Sequence, residues 1–109
     1  MKQLKFRIWD KQFNKFLYQL PEQYHLDWER FDIQQFTGLS DKLGKEIYEG
    51  DILEFNYEPL GKFKEEIKFI DGGFWIKRND GTNFMPSQEY REIIGNVYEN
   101  PELIEKEMK

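Results

Sequence analysis

The sequence predicts a mainly β protein, a small barrel or sandwich built from hairpins and a meander and finished by a short C-terminal helix. Three observations predict it. The first apolar stretch, Leu4-Lys5-Phe6-Arg7-Ile8-Trp9, alternates with period two, which is the strand signature. Turn signals recur at short spacing, at Gly38 to Gly44, Asp71-Gly72-Gly73 and Asn79-Asp80-Gly81; glycine reaches positive φ freely, while Ser, Asp and Asn bond their own backbone. Gly50-Asp51 stands directly before Ile52-Leu53-Glu54-Phe55, as at a tight barrel corner where the missing Cβ permits a sharp change of direction.

Taken in order, the alternation puts Leu4, Phe6 and Ile8 on one face and Lys5, Arg7 and Trp9 on the other. With Asn14 in the connection and β-suited residues from Phe16 to Leu20, the span Lys5 to Leu20 reads as a hairpin. Pro21 ends it, having no N–H for a ladder. Glu22 to Arg30 shows neither period and is read as irregular. Phe31 to Phe36 alternates as a short strand leading into the turn cluster Gly38, Ser40, Asp41 and Gly44. Ile52 to Tyr57 is a strand, Glu58 to Gly61 a turn, and Phe63 to Ile70 a strand with Phe63, Glu65, Ile67 and Phe69 on one parity and lysines on the other. Asp71-Gly72-Gly73 is a strong hairpin turn into Phe74 to Lys77, so these three strands are expected to form a meander. Thr82 to Met85 adds a short strand, and Pro86 to Glu89 a helical turn. Glu92 to Tyr98 is a strand in which Gly95 marks a bulge or a close backbone approach. Asn100-Pro101-Glu102 has the cap, first-turn proline and acid of a helix start, predicting a helix from Pro101 to about Glu107.

The run TGLSDKLGKEIYEGDIL, with the opening KFRIWDKQ and the closing EIIGNVYENPELIE, resembles the YopX family of small bacteriophage and prophage proteins. The resemblance implies a mainly β fold including a small barrel, assembly as a homo-oligomer and a phage or prophage origin. It brings no catalytic residues to carry over.

At 109 residues the chain is expected to be one domain, 1–109, with a core sufficient without staples. It has no cysteine, so neither a disulfide framework nor a thiolate site can form. The N-terminus turns charged too early for a signal core, and no apolar run approaches a membrane span; the expectation is a cytoplasmic protein of a bacterial host cell, without a membrane partner. Sixteen basic against 21 acidic residues give a net charge of −5, which opposes general nucleic-acid binding. Ten Phe, six Tyr and three Trp are many rings for this length. Each can bury roughly 150–250 Å², more in sum than so small an interior holds, so the surplus is expected at the surface against another subunit or a host or phage protein. Trp9, Tyr24, Trp28, Trp75, Leu103 and Ile104 are the candidate interface residues.

Catalytic parts are sparse. His25 is the only histidine, and Ser40 and Ser87 the only serines, neither within a nucleophile-elbow pattern. The acid groups Asp27, Glu29, Asp32 and Glu46, Glu49, Asp51 lack calcium-loop spacing and read as a solvated face. No glycine-rich phosphate loop occurs. The chain is therefore expected to be no enzyme and to carry no cofactor or metal. A second reading is a single-stranded nucleic-acid binder, with Lys62, Lys64 and Lys68 along one strand and Phe74 and Trp75 as stacking platforms. Against it, Glu65 and Glu66 interrupt the basic run.

Overall fold

The computed structural model describes residues 5–19, 29–57, 61–77 and 81–104. Ten strands occur within them: β1 Phe6–Asp10, β2 Lys15–Leu17, β3 Phe31–Ser40, β4 Glu46–Tyr48, β5 Asp51–Tyr57, β6 Gly61–Glu66, β7 Lys68–Ile70, β8 Gly73–Lys77, β9 Asn83–Phe84 and β10 Arg91–Asn96. They form antiparallel sheets in the orders β2-β1-β3-β4, β10-β5-β6 and β7-β8-β9, which curl into a half-barrel. Among the described residues no helix is long and apolar enough to cross a membrane.

The N-terminal hairpin forms with Ile8 across from Leu17 and Asp10 across from Lys15. Asp10 fixes its turn by accepting the N–H groups of Gln12 and Phe13, and Asn14 takes the positive φ that its short polar side chain tolerates. The expected short strand after Arg30 is longer, running ten residues to Ser40. Gly38 lies inside it, at the register shift between Phe36 and Ser40, so the reversal is confined to the residues from Asp41 to Gly44. There the Asp41 carboxylate accepts the N–H groups of Leu43 and Lys45.

The strand read from Phe63 to Ile70 is two strands, so the expected meander passes from one sheet into another. β6 pairs with β5 as far as Glu66. Ile67 still bonds the β5 side, donating to the Asp51 carbonyl and accepting from the Gly50 N–H at 2.9 Å each. Then β7 leaves to pair with β8. Ile67 is wholly buried, but Phe69, which shares its parity, is 53% exposed. Alternation predicts a face only while a strand keeps the same partners, and here they change.

The turn between β7 and β8 has both Asp71 (φ 49°) and Gly72 (φ 81°) in the left-handed region, the type I′ geometry that matches the strand twist. Gly95 sits at a register shift in β10, and a Cβ there would meet the Asn100 side chain at 2.5 Å, so bulge and close approach coincide. The C-terminal segment forms one 3₁₀ turn over Pro101–Leu103. Asn100 does not cap it by its side chain; that oxygen accepts the Asn96 N–H instead, tying the turn back to β10. The remainder of the expected helix lies outside the described residues. The helical turn expected at Pro86 to Glu89 is a 3₁₀ turn displaced to Gln88–Tyr90.

The core draws on all three sheets, with Ile47 contributed by β4 of the first. Ile47, Leu53, Phe55, Ile67 and Ile76 are buried together, with Phe63, Phe74 and Phe84 packed against them.

Candidate functional site

Period two places Arg7 on the same face of β1 as Trp9, and antiparallel pairing sets Arg7 opposite Gln34 of β3. That face turns inward. Arg7 Nε donates to Gln34 Oε1 at 2.7 Å, and Arg7 Nη2 donates to Asp51 Oδ1 at 2.7 Å. The second Asp51 oxygen accepts the Tyr48 N–H at 2.7 Å. The guanidinium lies between two rings, 4.3 Å from the Phe16 centroid and 4.8 Å from that of Tyr48. Both charges are almost wholly out of water, where an ion must be paired and hydrogen-bonded to be tolerated. Burial pushes the Asp51 carboxyl above the ordinary aspartate value, against the opposing pull of Arg7 and the Tyr48 N–H.

Gly50 makes the arrangement possible. Its φ is +88°, and a Cβ there would fall 1.8 Å from Gln34 Nε2. The glycine both turns the chain into β5 and leaves the space in which Gln34 reaches Arg7.

Over this clamp opens a cleft of about 1040 Å³. Lys5, Phe6 and Arg7 of β1 line it, with Phe16 and Tyr18 of the hairpin. Glu46 and Tyr48 of β4 continue that surface, and the Ile93 to Asn96 stretch of β10 also lines it. Tyr18 stands 68% exposed, edge-on to Tyr48 with centroids 6.4 Å apart. Lys5 pairs with Glu46.

Two further contacts join the first sheet to the rest. The buried Asp41 carboxylate also accepts the Ile93 N–H at 3.0 Å, while Arg91 donates to the Ser40 and Pro86 carbonyls. Burial alone would raise the Asp41 pKa, but the N–H donors of Ile93, Lys45 and Leu43 and the charge of Lys45 hold it below the ordinary value. Elsewhere Trp9 stacks on Tyr98 at 5.0 Å, and the Tyr98 hydroxyl donates to Asp32 at 2.9 Å. Burial, then the Asp32 hydrogen bond, push the Tyr98 hydroxyl far above its ordinary pKa.

Of the residues singled out from sequence, Glu46 and Asp51 line this cleft, while the described interface and nucleic-acid candidates do not. Trp9, expected at an interface, is 6% exposed and engaged by Phe16 and Tyr98 within its own chain; from Arg7 to Asp10 both faces of β1 are covered. Tyr24 and Trp28, with His25 and Asp27, lie outside the described residues. Leu103 and Ile104 are half-buried. Trp75 is 37% exposed, its ring folded over Gly73.

The basic strand divides with the sheets. Lys62 and Lys64 are on β6, where Glu54 is directly across from Lys64 and pairs with Lys62 at 4.0 Å. Lys68 is on β7, across from Trp75, and Phe74 turns to the other face, half-buried against the core. Among the described residues no three His, Asp or Glu side chains converge as metal ligands would. Asp51 is engaged by Arg7, Glu46 by Lys5, and Asp32 by Tyr98 and Lys11. The cleft residues Arg7, Tyr18 and Tyr48 were not singled out by sequence reasoning. The one available signal was an arginine sharing strand parity with Trp9.

Fold and cleft together define a small β half-barrel with an open, ring-lined groove between its first sheet and β10. The chain belongs to the YopX family, whose sequence profile, YopX protein, matches residues 21–105. Protein EF1440 from Enterococcus faecalis has a similar structure, with 26% identity, a TM-score of 0.71, and 94% of this chain and 99% of that one covered. Protein yopX from Bacillus subtilis shares the fold at 23% identity and a TM-score of 0.53, over 93% of this chain and 98% of that one. No curated protein matches the chain.

Proposed function

We propose that this chain is a non-enzymatic, self-assembling protein-interaction module, acting on a host or phage protein in the cytoplasm of a bacterial cell. One observation carries the reading. Among the described residues Phe6, Phe13, Tyr18, Phe69, Trp75 and Tyr90 all remain exposed after the core is filled. Single exposed apolar residues are ordinary, but rings are the side chains enriched where proteins meet. Family membership supports the phage setting, since the resemblance in the sequence is to phage and prophage proteins. Sedimentation velocity over about 1–100 μM tests assembly, an interface of standard size burying roughly 1,600 Å². Association should appear within that range; a monomer throughout it sinks the reading.

A second reading has one specific support, the placement of Lys68 directly across from Trp75. It makes the chain a single-stranded nucleic-acid binder, with affinity that falls steeply as salt rises. The net charge of −5 weighs against it. Retention of an oligonucleotide at about 50 mM salt, abolished by Trp75→Ala, would favour it over the first.

A further inference from the structure

The register of the third sheet fixes what its outer face carries. β8 turns Phe74 and Ile76 to the core, so Trp75 and Lys77 face outward. Pairing sets Lys68 of β7 across from Trp75, Ile70 across from Gly73, and Asn83 of β9 across from Lys77. Lys68, Trp75, Lys77 and Asn83 are all exposed. The indole is laid down on this surface. A Cβ on Gly73 would fall 2.5 Å from Trp75 Nε1, and Gly73 takes no positive φ, so the ring and not the turn requires glycine there. The ring covers Gly73 on one side, and Trp75 keeps 37% of its surface open to water.

Charge sets this face apart from the rest of an acidic chain. None of its six positions is an acid. Lys5, Lys11, Lys42 and Lys62 each have a carboxylate within 4.0 Å, but among the described residues Lys68 and Lys77 have none. Glu66, before β7, comes near enough to feel the Lys68 charge, and Asp71 stands at the turn. We infer that this face binds single-stranded nucleic acid, one base lying on the open side of Trp75 and the adjoining phosphates held by Lys68 and Lys77; this rests on the second reading above. Stacking on a ring accepts any base, because each has a π-face, and a lysine that meets a phosphate gains by releasing counterions. An acidic protein segment would satisfy the two lysines but leave the flat ring unused. Lys62, Lys64 and Phe74 take no part, the first two lying in another sheet and the third turned to the core.

The experiment follows binding of a labelled oligodeoxythymidine, about twelve nucleotides long, to the whole chain by fluorescence anisotropy between about 20 and 200 mM salt. Lys68→Ala and Lys77→Ala should each flatten the slope of log K against log salt by about 0.7, the share of one phosphate on a single strand. Trp75→Ala should weaken binding about tenfold or more with the slope unchanged, and Trp75→Phe should restore most of the loss. Lys15→Ala removes the same charge from the first sheet and should stay within about twofold of the parent. These positions are all exposed, and thermal melting identifies any variant that fails to fold. Equal weakening by Lys15→Ala would mean general electrostatics and overturns the inference. So does equal binding of a poly-glutamate of matching charge that ignores Trp75→Ala, which makes the partner an acidic protein. Binding untouched by all three alanine substitutions on the face puts the oligonucleotide elsewhere; the placement then falls and the nucleic-acid reading stands. No binding at about 50 mM salt ends both.

Discussion

A guanidinium keeps its charge when it leaves water, so Arg7 has to find every partner inside the molecule, and it does so in Gln34, Asp51 and two rings. Removing one member strands the other: Asp51→Ala should lower stability by about 3–5 kcal/mol in urea denaturation. The double substitution Arg7→Met with Asp51→Leu should recover much of that loss, because nothing charged is then left unpaired. Acid acts on different carboxylates in opposite directions. Asp10, held below its ordinary pKa of 3.8 first by the Arg30 hydrogen bond and then by the Gln12 and Phe13 N–H groups, binds a proton less readily folded than unfolded. Its contribution, with that of Asp41, is present above about pH 3.8 and lost as pH falls through the lower folded values. Asp51 lies above 3.8, so its burial penalty is relieved as pH falls towards that value. Melting temperature should hold or rise slightly on mild acidification and drop below about pH 3.8; Asp41→Asn should flatten the drop. None of these pairings could be read from the sequence. Asp51 was legible as a turn residue, but its partner lies 44 positions away.

At the scale of elements, hairpins and turns were the most legible because their determinants are local. Asp71-Gly72 specifies its turn from two adjacent residues, and Gly95 announced its bulge by lacking a side chain. The break between β6 and β7 was not visible, since Phe63, Ile67 and Phe69 share one parity straight across it. It arises from Ile67, which spans the junction by bonding Gly50 and Asp51 while its side chain enters the core. Ile67→Ala should therefore lower stability by about 2–5 kcal/mol, measured by denaturant unfolding. The C-terminal segment had every local helix-start signal and became a 3₁₀ turn in the described residues, because Asn100 uses its side chain on Asn96 instead of on the turn.

Over the whole molecule, the surplus of rings is a matter of volume and could be anticipated by counting; which rings stay outside could not. Phe69 and Trp75 point to opposite faces of the β7–β8 hairpin, and both remain exposed. If the hairpin takes part in assembly, the pair Phe69→Ser with Trp75→Ser should weaken self-association in sedimentation by about tenfold or more while leaving the melting temperature nearly unchanged. The same reasoning says why the candidate site was only partly readable. Turns, strand spans, the mainly β class and the excess of aromatic surface follow from local stereochemistry and composition, and the sequence by itself determined them. The burial of both faces of β1 from Arg7 to Asp10, the parting of β6 and β7, and the meeting of Arg7 with Asp51 beneath a cleft were decided by the tertiary structure. Period two states that a strand has two faces, and only packing against distant strands decides whether one or both are withdrawn from water.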